Sequence, residues 1–321
     1  MAYRFEPDES VRDAVLRCAR GQSDVAVQKL SVEIETDPVG AVHSARKAIK
    51  KERALMRLAR GTLASKQRTR GNAALREAGR GLSGARDAEV MVQALDQLAE
   101  RFTGQLPERT FSAVREQLDV ARRAERARAV KAAVSSQAVQ GIGSVELRID
   151  DWKFKRDGWR ALDDGLHRTY RSGRKAFRQA RNEPSLENLH AWRKRVKDLW
   201  YQLRLLAPVC GLAVRGQAKE AHRLADLLGD DHDLGVLKET LRRLSHDLAV
   251  DLDALLGLVD YRREQLQTQA MYVGERLYAE KAPAFGRRIH RCWNAGRAEA
   301  SASHERRPAA LAETTRAVRA A

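Results

Sequence analysis

The chain of 321 residues carries 60 Lys and Arg against 43 Asp and Glu, a formal charge of +17. At 43% hydrophobic and 32% charged it is too apolar to be disordered as a whole, and its Ala, Leu, Arg, Glu and Gln, against 5% aromatics, point to helices. Cys18, Cys210 and Cys292 have no CxxC or Cys/His ligand spacing, and no apolar run reaches the roughly 18 residues of a membrane span, which argues against a disulfide framework, a zinc site and membrane insertion.

The start, Met1 to Ser10, is acidic and holds a proline where a signal peptide would be basic and then apolar, so a reducing, cytoplasmic protein is expected. Pro7, Pro38, Pro107, Pro184, Pro208, Pro283 and Pro308 fall where they would open, close or separate helices. Between them the periodicity predicts helices at 8–32, 39–60, 66–82, 85–104, 108–139, 153–182, 186–207, 212–229, 231–247 and 252–281. The stretch 141–152, with Gly141, Gly143 and Ser144 at its start, reads as a linker with room for a short strand at Val145 to Ile149. It separates a first helical unit at 8–140 from a second at 153–281. The remaining 282–321 reads as a frayed basic tail, with one helix near Arg287 to Ala300.

A repeat spans that linker. His43-Ser44-Ala45-Arg46-Lys47-Ala48-Ile49-Lys50 matches His190-Ala191-Trp192-Arg193-Lys194-Arg195-Val196-Lys197, and Leu82 to Met91 pairs with Leu228 to Leu237 at nearly the same offset. A helix turns about 100° per residue, so Arg46, Lys47, Lys50 and Arg57 lie on the His43 side of one helix. Arg193, Lys194, Lys197 and Arg204 lie likewise on the His190 side of the other. The opposite faces carry Val42, Ala45, Ile49 and Met56, and Leu189, Trp192, Val196, Leu199 and Leu203, which suit a bundle core. Glu52, at the position matching Leu199, is expected to be partly exposed or paired.

Like charges at these spacings repel, and a bound polyanion would offset the repulsion; a row of 14 residues is about 21 Å long, suited to a chain of phosphates. The bland alternative is a solvated face balanced by acids on neighbouring helices. Arg171, Arg174, Lys175 and Arg178 form a further strip on the preceding helix.

In these residues the chain resembles the CHAD family, the conserved histidine α-helical domain. The resemblance rests on both His motifs, on Tyr170-Arg171-Ser172-Gly173-Arg174-Lys175, and on Arg86-Asp87 and His232-Asp233, and spans about 8–281. It implies an all-α fold of two related antiparallel four-helix bundles with pseudo-twofold symmetry around a central basic groove that binds inorganic polyphosphate, with no catalysis and no cofactor. The expected contacts are His43, Arg46, Lys47, Lys50, Arg53, Arg57, Arg86, Arg171, Arg174, Lys175, His190, Arg193, Lys194, Lys197 and Arg204. Glu33-Ile34-Glu35-Thr36-Asp37 lacks the final lysine of the Glu-x-Glu-x-Lys strand of the triphosphate-tunnel domain that often adjoins this family.

Two other readings compete. Nonspecific nucleic-acid binding suits the charge, although no aromatic platform interleaves with the stripes. A metal-dependent phosphohydrolase would use His232-Asp233 with His190 and Asp247 or Asp251, but the cations around His190 disfavour a metal ion there.

Overall fold

A computed structural model describes residues 2–82, 84–134, 137–146, 148–244 and 252–320, and the side chains of these except 84–86, 129–134, 137–138 and 304–320. They form helices α1 (Val11–Gln28), α2 (Pro38–Leu58), α3 (Ser65–Gly81), α4 (Gly84–Arg101), α5 (Glu108–Val134), α6 (Gln137–Glu146), α7 (Trp159–Asn182), α8 (Leu186–Cys210), α9 (Leu212–Leu244), α10 (Leu252–Leu277) and α11 (Ala282–Ala320). No strand occurs among the described residues, and Leu63 and Phe154 make an isolated bridge. The fold is all-α, as predicted.

Helix starts follow local chemistry. Ser10 and Ser185 accept hydrogen bonds from the backbone N–H groups of Asp13 and Asn188, and Asp37 accepts one from Gly40 with Pro38 opening the helix behind it. α2 and α8 bury the predicted apolar faces, Trp192, Val196, Leu199 and Leu203 completely. Gly165 of α7 lets the two helices meet, since a Cβ there would collide with the carbonyl of Leu58 at the end of α2.

Three expectations need correction. The stretch 141–152 is no open linker and its described residues form no strand: α6 runs to Glu146 and buries Ile142 and Val145, followed by Ile149 and Trp152, in the main core. The predicted helices 212–229 and 231–247 are one continuous α9 through Gly229 and Asp230. Gly229 serves packing, because the Arg193 guanidinium lies about where its side chain would point, 3.1 Å from an ideal Cβ. Beyond Ala282 the chain is a helix and not a frayed tail, with Phe285, Ile289 and Trp293 inserted into the core.

Two apolar clusters result, and each draws on both sides of 141–152. The larger joins α1, α2, α3, α6, α7, α8 and α11 to the first half of α9 and the end of α10. The smaller packs Leu95 and Leu98 of α4 and Val114 of α5 against Leu237 and Leu241 of α9 and Leu255 and Val259 of α10. α9, 33 residues long, spans both.

Glu52 is neither exposed nor ion-paired: it is 1% exposed, its Oε2 accepts a hydrogen bond from Ser23 Oγ at 3.0 Å, and its Oε1 has no partner among the described residues. Burial pushes its pKa up to about 8, against the pull of the Ser23 bond, with Glu146 adding to the rise. A pKa raised on folding gives stability that is complete below the unfolded value of about 4.5 and is lost as pH rises through about 8. Thermal melts between about pH 6 and pH 9 should therefore show the parent losing at least about 3 °C relative to Glu52→Gln; parallel curves would mean that the carboxylate is solvated.

Candidate functional site: a cationic crossing of two helices

α2 and α8 cross with their basic rows converging. Gln202 Nε2 donates to the Ala54 carbonyl at 3.2 Å within the buried part of the crossing. Beside it Lys50 of α2 meets Lys197 and Arg193 of α8. Lys50 is exposed, but partial desolvation by the protein around it, then Lys197, Arg46 and Arg193, push its pKa down to about 7. Lys197 is pushed down to about 8 by burial and then by Arg193, with Lys47 adding to the shift while Asp226 and Asp233 of α9 oppose it. Lys51 also falls to about 8, through burial and then Arg204 and Lys47.

At the α8 N-terminus His190 stacks on His232 of α9, ring centroids 4.2 Å apart. Desolvation first, then neighbouring cations, lower both to about 4: His232, Lys194, Arg193 and Lys50 act on His190, and Arg193, Lys194 and Arg263 on His232. The Nδ1 atoms of both rings and Arg193 Nε are buried with no hydrogen-bond partner among the described residues. Arg193 Nε is a donor without an acceptor, and each neutral ring beside it keeps one N–H to donate and one nitrogen to accept.

The structure thus brings together Arg46, Lys47, Lys50, His190, Arg193, Lys194, Lys197 and Arg204. Arg46 also donates to the Leu82 carbonyl at 2.7 Å, which ties α2 to the end of α3. His43 is exposed on α2 one turn before Arg46 and Lys47. Arg53 donates to Asn72 Oδ1 at 3.0 Å, and Arg57 leaves the row for an ion pair with Asp198 at 3.1 Å. On α7, Arg174 donates to the Tyr278 carbonyl at 3.1 Å, and Arg171 and Lys175 are exposed. The Arg86 side chain lies outside the described residues, as do Asp247 and Asp251.

Reading the stripe alone missed Lys51 and Asp198. Both sit one position off it, and aligning the repeats beyond Lys50 and Lys197 would have exposed them as counterparts of opposite sign. Among the described residues no group of three His, Cys, Asp or Glu side chains is placed to hold a metal ion, and no helix is long and apolar enough to cross a membrane.

The CHAD domain model matches residues 23–242 of the sequence, which contain both crossing helices and the histidine pair. The chain belongs to the CHAD family. The fold of this CHAD protein is similar to that of PptA from Streptomyces chartreusis, at TM-score 0.61 and 14% identity over 85% of this chain and 100% of that one. It is similar also to the CHAD domain from the plant Ricinus communis, at TM-score 0.55 and 17% identity over 90% of this chain and 95% of that one. No curated protein matches the sequence.

Depressed histidine pKa values have a stability consequence. The imidazoles are neutral in the fold and protonate more readily when unfolded, so their contribution is complete above about 6.5 and is lost as pH falls toward about 4. NMR titration of the histidine ring protons should place two midpoints near 4, and the melting temperature of the parent should fall over that window more than that of His232→Phe. Midpoints near the ordinary histidine value would refute the desolvated pair.

Proposed function

We propose that this CHAD protein is a binding protein for linear inorganic polyphosphate, which lies along the α2–α8 crossing without any bond being made or broken. The observation that carries this reading is the opposition of Lys50 and Lys197, equivalent residues of the two repeats, each destabilised as a cation by its surroundings. A polyanion reverses that penalty. Phosphate oxygens would accept charge-assisted hydrogen bonds from Lys47, Lys50, Lys194 and Lys197, and from Arg193 and the imidazoles at the buried end, while counterion release adds a salt-dependent drive. A pseudo-twofold relation of the two halves, with one row from each, would present similar contacts to a ligand that is itself a repeat. The metal-dependent hydrolase reading is the weaker one: His190 and His232 do meet, but within a ring of Arg193, Lys194, Lys50 and Arg263 that repels a divalent cation. Attachment to polyphosphate granules or scaffolding on them is the cellular role that such binding suits.

Replacing Lys47 and Lys194 together by Glu should weaken binding of long-chain polyphosphate at least about tenfold with helicity unchanged. Unaltered affinity in the folded double variant would place the ligand on another surface. In competition, polyphosphate should displace duplex DNA at much lower phosphate concentration; equal potency would favour the nucleic-acid reading. Because the anion raises lysine pKa values that lie at about 7 and 8 in the free protein, binding should take up protons near pH 8 and weaken as pH rises. Calorimetry in two buffers of different ionisation enthalpy measures the uptake, and proton release would contradict the assignment.

A further inference from the structure

Extending the repeat past the lysines aligns Lys51 with Asp198 and Arg57 with Arg204. The crossing therefore contains two matching corners. At one, Asp198 is 9% exposed and holds Arg57 at 3.1 Å and Arg195 at 3.4 Å. At the other the carboxylate is replaced by Lys51, so that a lysine faces Arg204; the cations Arg204 and Lys47 act on Lys51, and among the described residues no acidic group is seen to offset them. The Lys51 ammonium lies 5.3 Å from the Tyr3 ring centroid, and Arg204 is exposed.

Arg204 also forms part of the wall of a cavity of about 840 Å³ between α8, α9 and the N-terminal segment. Arg4, Arg215, Lys219 and Arg223 line it as well, together with two carboxylates, Asp226 and Asp230, and Arg4 is ion-paired with Glu6 at 2.8 Å. Asp226 is itself engaged by His222 Nδ1 at 3.1 Å. The cavity thus continues the basic row at the Lys51–Arg204 corner, whereas the Arg57 corner is already filled by a protein carboxylate.

We propose that the polyanion site is lopsided: a phosphate chain passes Lys51 and Arg204 and continues into the cavity between α8 and α9, while at the opposite corner Asp198 occupies the place of a phosphate. This rests on the polyphosphate reading above and assigns the chain a direction of exit. Arg204 and Arg223 are then contacts of the ligand, and Arg57 is a structural partner of Asp198.

The test compares two neutralising pairs in the full chain, titrated with long-chain polyphosphate at several salt concentrations. Arg204→Gln with Arg223→Gln should lower affinity at least about tenfold and reduce the slope of log K against log salt by about 1.4, taking 0.7 per cation from single strands. Arg57→Gln with Asp198→Asn, which removes the ion pair as a unit, should change affinity by less than about threefold, and Asp198→Asn alone should raise it by freeing Arg57 and Arg195. Circular dichroism confirms that each variant is folded; should the Arg57→Gln pair not fold, the single Asp198→Asn variant decides. An equal or larger loss from the Arg57 pair, an unchanged affinity without Arg204 and Arg223, or weaker binding by Asp198→Asn each overturns the proposal. Lys47→Glu with Lys194→Glu separates the two levels: if it abolishes binding while the Arg204 pair has no effect, the direction of exit is wrong and polyphosphate binding stands. If no variant alters binding, or the parent does not bind, the polyphosphate reading fails and the lopsided site with it.

Discussion

Two lysines that repel each other are held together by a hydrophobic core that does not let them separate. Lys50 and Lys197 stand on helices whose opposite faces insert Ile49, Leu55, Trp192, Val196 and Leu199 into the main cluster. Each of these side chains contributes roughly 1.5–3 kcal/mol through burial, against the few tenths that a like-charge pair costs on an exposed helix. The core therefore sets the crossing and the charges adapt to it by lowering their pKa values.

The same balance explains why the acidic residues of α9 stand close to the basic rows without cancelling them. Asp226 and Asp233 favour the charged form of Lys197, yet burial and Arg193 still dominate and its pKa is lowered. The groove remains short of negative charge. At the histidine end the deficit takes another form: His190 and His232 shed their protons, which spares the site two further positive charges but leaves buried ring nitrogens without partners. On the reading proposed above, a ligand rich in acceptor oxygens would answer both deficits at once, whereas a single small anion would reach only one end of the row.

The faces of α2 and α8 were legible in the sequence because amphipathic periodicity reports one helix against one core, and the repeat supplied a second, independent copy. What escaped was decided between elements. Gly229 has the composition of a turn, but its meaning lies in Arg193 on another helix. Gly141 and Gly143 suggest an open linker, while Ile142 and Val145 beside them find a core that local pattern cannot locate. The scattered Ala and Arg after residue 282 look frayed, yet Phe285, Ile289 and Trp293 sit four residues apart on one face of a helix, enough to dock it. Glu52 defeated expectation differently: a carboxyl can enter a core by becoming neutral, a choice of protonation that no spacing reveals. At the site, the rows themselves were readable, but the removal of Arg57 by Asp198, and of Arg174 by the Tyr278 carbonyl, depended on partners far away in sequence.

Duplication makes a matched pair of rows easily, and keeping both copies identical would place like charges at every equivalent contact of the crossing. The substitution that separates Lys51 from Asp198 relieves one corner: a carboxylate there binds Arg57 and Arg195, so one side of the crossing is a closed, internally neutralised joint. A closed joint of this kind adds to the core packing that already sets the crossing. The other corner can then remain strained and open, with Lys51 beside Arg204, because the geometry no longer depends on it. On the polyphosphate reading proposed above, divergence at a single equivalent position divides two tasks that a symmetric pair would have to share, reinforcing the crossing at one corner and receiving the anion at the other.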